Sequence, residues 1–207
     1  MANISDLPQS IRDFLRRDLA YIVGGGIVLT SFLYSSNRLP IYKIPLGFTM
    51  LGIGLSYVIG YEIQDIFSIS RIVTTAHVTK PNRFLKWAYK RFENEPWEDL
   101  PECCFDDLGH ALQSFHDNDL SKAEYERTIS HLILGATIGP CMFIASFFIF
   151  VKWCLHPNYF DFVLFTLSLL SGCGLVALCW LKAMQMTRID VEAVKASQNN
   201  KTESNEV

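Results

Sequence analysis

Charge is missing from four long stretches of this chain of 207 residues. No Asp, Glu, Lys or Arg occurs in residues 19–37, 44–61, 128–151 or 162–181. These stretches are 19, 18, 24 and 20 residues long, and all 18 basic and 21 acidic residues lie outside them. An overall composition of 50% hydrophobic and 19% charged residues conceals the segregation. A soluble globular protein interleaves charged and apolar residues, because each element has a face to bury and a face to hydrate. Runs close to the ~20 residues that cross a bilayer as a helix exclude that class and predict a polytopic membrane protein.

Also lacking are the marks of common enzyme and metal sites. The chain has no GxSxG, no HExxH and no P-loop lysine motif. Cys103 and Cys104 are adjacent, which is poor spacing for two ligands of one zinc, and no second pair follows. Cys141, Cys173 and Cys179 fall inside charge-free runs and read as small apolar residues. Asp117-x-Asp119-x-Ser121 opens like an EF-hand loop, but Lys122 stands where the loop needs glycine and Thr128 where it needs Glu. Asp106 and His110 are four apart on a predicted helix and read as a solvated pair. No cofactor and no metal are expected.

What is present gives an all-α fold. Four transmembrane helices, about 19–36, 44–61, 129–151 and 162–181, form two hairpins, 19–61 and 128–184. A cytosolic segment, 1–18, precedes them, a small helical cytosolic domain, 62–127, separates them, and a polar tail, 185–207, follows. The tail is expected to be disordered after about residue 190. Basic residues orient the chain. Arg12, Arg16 and Arg17, eight more in 62–127 and four in the tail outnumber Arg38, Lys43 and Lys152 in the two short loops. The positive-inside rule therefore places both termini in the cytoplasm, in an inner or plasma membrane. Two outward loops of about ten residues are too small for an external receptor domain, so any aqueous ligand or partner is cytosolic.

Within 62–127 the pattern predicts a helical extension to about residue 78, a break at Lys80-Pro81-Asn82, and an amphipathic helix over 82–93. Phe84, Leu85, Ala88, Tyr89 and Phe92 make one face of that helix. Arg83, Lys86, Lys90 and Arg91 make the other, with Trp87 beside them. This is the composition of an interfacial helix that binds anionic headgroups, or of a helix that binds a cytosolic partner. The basic face is one helix long and acidic residues follow at once, which argues against nucleic acid. A further helix is predicted over 102–116. The S-x-x-E box at Ser121 and Glu124 then starts a helix that runs unbroken into the third span, through Pro140.

Two sets of residues in the second span invite function. Thr49, Gly52, Ser56 and Gly60 form a stripe of small residues, suited either to a subunit contact or to packing within the chain. Glu62 and Asp65 lie one turn apart at its cytoplasmic end, placed for a pore mouth or for ion pairs. The reading is a non-enzymatic membrane protein whose cytosolic domain senses or recruits a partner and whose bundle homo-oligomerises. A pore or transporter gated by that domain is the alternative, and a membrane enzyme is third.

Overall fold

The computed structural model describes residues 17–36, 46–74, 78, 81–93, 97 and 119–204, with side chains except at 46–48, 93, 119–124, 126 and 193–204. Among them the fold is all-α, without strands. The elements are α1 (Leu19–Ser35), α2 (Leu46–Ile69), α3 (Arg83–Glu93), α4 (Asp119–Leu155) and α5 (Tyr159–Ser204). Two of these helices are long and apolar enough to cross a membrane, α4 over Arg127–Leu155 and α5 over Tyr159–Glu192. The helix expected over 102–116, with Cys103, Cys104, Asp106 and His110, lies outside the described residues, as do Arg12 and Arg16.

The chain forms two compact units. The first comprises Met1–Thr74 and Ile133–Cys179. Its helices meet through glycines. A Cβ on Gly25 would run into the Ser56 carbonyl, and one on Gly60 into the Tyr21 carbonyl, so α1 and α2 run antiparallel with their backbones touching. On α4, a Cβ at Gly135 would lie 2.6 Å from the Leu175 carbonyl of α5, and one at Gly139 2.9 Å from Val176. Gly24 brings α1 onto α4, where its Cβ would sit 2.9 Å from Cys141 Sγ. At Gly25, Gly60 and Gly135 only hydrogen fits, because the atom in the way is main chain, which cannot withdraw as a side-chain tip can. Val28, Ile63 and Cys141 are buried together, and Thr137 donates to Gln64 Oε1 at 2.7 Å to tie α4 to α2.

α2 stops at Ile69, short of the expected end near residue 78. Its last carbonyls are closed by Arg71 N–H to Ser68 (3.0 Å) and Ile72 N–H to Phe67 (3.0 Å). That is the Schellman pair of bonds, which needs a left-handed residue at the position after the cap, and Arg71 supplies it with φ 56°. Glycine is the usual choice there, so the stop had no composition signal. Val73 beyond it is buried with Ala136 and Cys179.

The second unit comprises Thr75–Leu132 and Trp180–Val207. Its core gathers Val78, Ala88, Tyr89, Leu132, Leu181, Ala183 and Met184. α5 continues as helix to Ser204, through much of the segment expected to be a polar tail. Met184, Thr187, Asp190 and Val191 are all at most 2% exposed. Met184, Thr187 and Asp190 or Val191 recur three to four residues apart and form the inner stripe of a helix. Thr187 is buried without cost because it is satisfied. Its Oγ accepts the Val78 N–H (2.9 Å) and donates to the Ala183 carbonyl (2.7 Å).

Candidate membrane-surface site

The strongest candidate is α3. Asn82 starts it, with its side-chain oxygen accepting the Leu85 N–H at 2.9 Å and its carbonyl accepting the Lys86 N–H at 3.0 Å. Ala88 and Tyr89 are buried and Leu85 packs against the same core. The Tyr89 ring also meets Trp97 edge-on, with centroids 5.2 Å apart. These contacts lock the helix through one narrow face.

The remaining apolar residues of α3 are left outside. Phe84 is 67% exposed, Trp87 64% and Phe92 71%. Phe84 and Trp87 lie one turn apart with ring centroids separated by 5.9 Å. At 100° per residue, Arg91 projects between them, and Lys90 and Arg83 follow on the far side of Trp87. All three cations are exposed, and none forms an ion pair with a described residue. Lys86 is half-buried at the edge of the packed face.

The five predicted residues Arg83, Lys86, Trp87, Lys90 and Arg91 thus share one helix, as expected, with Lys86 the least available. Sequence reasoning grouped Phe84 and Phe92 with Leu85, Ala88 and Tyr89 on one apolar face and did not name them as site residues; the structure leaves both exposed. Phe84 lies at the margin of that face beside Arg91, whereas Phe92 falls among Leu85, Ala88 and Tyr89 on the helix wheel, so spacing did not set Phe92 apart from the packed residues.

The small-residue stripe of α2 divides. Ser56 and Gly60 face α1 of the same chain, and Ser56 Oγ donates to the Gly52 carbonyl at 2.8 Å. Thr49 is exposed, and a Cβ on Gly52 or on Gly54 would meet nothing within 4 Å. Glu62 and Asp65 are exposed and carry no hydrogen bond or ion pair to a described residue. No group of three His, Cys, Asp or Glu side chains that could hold a metal is assembled among the described residues. Compared with known families, characterised proteins and solved structures, the chain matches none.

Proposed function

We propose that this chain is a multi-pass membrane protein that presents α3 to an anionic membrane surface. Its four charge-free runs span the bilayer as two hairpins with both termini cytoplasmic, and its second unit works on the cytoplasmic side. The protein is non-enzymatic in this reading and acts by recruitment. One observation carries it. α3 is fixed by Leu85, Ala88 and Tyr89, and still leaves Phe84 and Trp87 in solvent among Arg83, Lys90 and Arg91. Two exposed aromatics amid cations without an ion pair to any described residue match the chemistry of the headgroup region, where aromatic rings and basic residues both settle. Each cation near an anionic leaflet contributes roughly 1 kcal/mol, so three give about a hundredfold preference over a neutral surface.

The test uses the full-length protein in nanodiscs of neutral or anionic lipid containing brominated chains. Quenching of Trp87 is read as the difference between the unmodified protein and Trp87→Phe. Trp87 should be quenched in anionic discs, and changing Arg83, Lys90 and Arg91 to Gln together should abolish most of the effect. Absence of Trp87-specific quenching in anionic discs would remove the lipid reading and leave the face to a partner protein.

Homo-oligomerisation belongs to the same proposal, now through the open end of the α2 stripe, Thr49 and Gly52. Its support is that Thr49 is exposed and that a Cβ on Gly52 would meet no described atom within 4 Å.

A further inference from the structure

The anchored side of α3 limits what can approach it. Ala88 and Tyr89 are buried and Leu85 packs on the same core. No ligand can wrap around the helix, and contact must come from its exposed side alone.

On that side the cations are held apart. Arg83 precedes Trp87 by four residues and Arg91 follows it by four, so the three lie along one ridge of the helix. Arg83 and Arg91 are roughly 12 Å apart along the axis, with the indole between them. Lys90 flanks the same ring on the side away from Phe84. Phe84 and Trp87, with centroids 5.9 Å apart, occupy the ground between the two arginines. A phosphate seated on both arginines would have to displace the indole.

The two ends of α3 carry their charge on different terms. Lys90 and Arg91 lie in the last turn, where the helix dipole favours cations. Arg83 lies in the first turn, where the dipole opposes a cation, and no acidic residue accompanies it there. None of the three forms an ion pair with a described residue. Arg83 thus works against the helix it starts, and an anion outside the protein relieves that conflict.

We propose that the ligand of α3 is a set of separate monovalent phospholipid headgroups. At least one sits at Arg83 and another at Lys90 and Arg91, while Phe84 and Trp87 enter between them. This inference rests on the membrane-surface reading of α3. It adds that the helix responds to the density of anionic lipid and has no site for a single polyphosphate headgroup. Cations that meet separate headgroups act independently, so docking is graded in the fraction of anionic lipid.

The experiment uses the full-length protein in nanodiscs of phosphatidylcholine with brominated chains. The discs contain either graded phosphatidylserine or phosphatidylinositol bisphosphate at matched total charge. Quenching of Trp87 is again read against Trp87→Phe. It should climb gradually with phosphatidylserine, and the bisphosphate lipid should give no advantage at equal charge. Inositol hexakisphosphate equimolar with the protein should leave it unchanged. Arg83→Gln, Lys90→Gln and Arg91→Gln should each lower the ratio of docked to undocked α3 about fivefold, by factors that multiply on combination. Arg83→Gln should do so without lowering the melting temperature, since it removes a charge that the dipole opposes. Three results would each overturn the proposal in favour of one polyphosphate site and leave the membrane reading standing. They are saturation at one bisphosphate lipid per protein, reversal by equimolar inositol hexakisphosphate, and a single variant that abolishes the response while the other two leave it intact. No quenching of Trp87 in either kind of disc would remove the membrane reading and this inference together.

Discussion

Gly25 and Gly52 are the same residue on adjacent helices, and the same substitution should affect them oppositely. Gly25→Leu drives a side chain into the Ser56 main chain, an overpacking that costs about 1–3 kcal/mol or prevents folding. Gly52→Leu enters open space. Thermal melting in detergent should therefore fall sharply for Gly25→Leu and hardly move for Gly52→Leu, while crosslinking in membranes should lose its oligomeric species only in the second. A Gly52→Leu protein that melts early would show that this stretch is covered within the chain after all. The stripe itself was legible from spacing, but not its division. Each step of four residues turns the helix by an extra 40°, so Gly52 and Gly60 sit roughly 80° apart. Two crossing helices stay in contact over only a few turns, so α1 covers the later end and leaves the earlier one.

Around its own circumference α3 divides into a buried face, with Ala88 and Tyr89, and an exposed one, with Phe84 and Trp87. Tyr89 is buried in the core of the second unit, so Tyr89→Ala should destabilise that unit by about 3–5 kcal/mol. Trp87→Ser should leave melting unchanged while weakening the interaction with anionic lipid. Circular dichroism melts of the two variants would show it, and equal destabilisation would place Trp87 in the core. The extent of α3 was legible because Asn82 and the amphipathic period both mark it. The ends of α2 and α5 were not. Arg71 takes the left-handed position that glycine usually signals, and α5 continues on a stripe whose buried members include Thr187 and Asp190. Composition counts those two as tail, and only their burial shows otherwise.

For the whole molecule, the charge-free runs announced a membrane protein of helices, and the structure gives helices of that length in α4 and α5. Orientation remains a matter of charge counting, and thiol chemistry tests it. Cys154 is exposed, whereas Cys141 and Cys179 are buried. In intact cells an impermeant maleimide should label Cys154, and Cys103 and Cys104 should react only after lysis. The reverse pattern would invert the topology. The division into units was less legible than the spans. Sequence drew the cytosolic domain as 62–127, whereas residues up to Thr74 stay with the first unit and those from Trp180 onward join the second.

That interleaving constrains how the protein is made. Neither unit is a continuous piece of chain. As translation proceeds, α1 and α2 emerge first and hold the contacts of Gly25, Ser56 and Gly60 without help from later sequence. Val78, Tyr89 and Leu132 emerge next, but Leu181, Ala183 and Met184, which complete their core, are synthesised only at the end of the last apolar run and just beyond it. For that interval the apolar surface of the nascent second unit is left uncovered, the condition chaperones and proteases recognise. A product truncated at Cys179 would keep that exposure permanently. Pulse–chase labelling should find such a fragment degraded within minutes of synthesis, while the full-length chain persists.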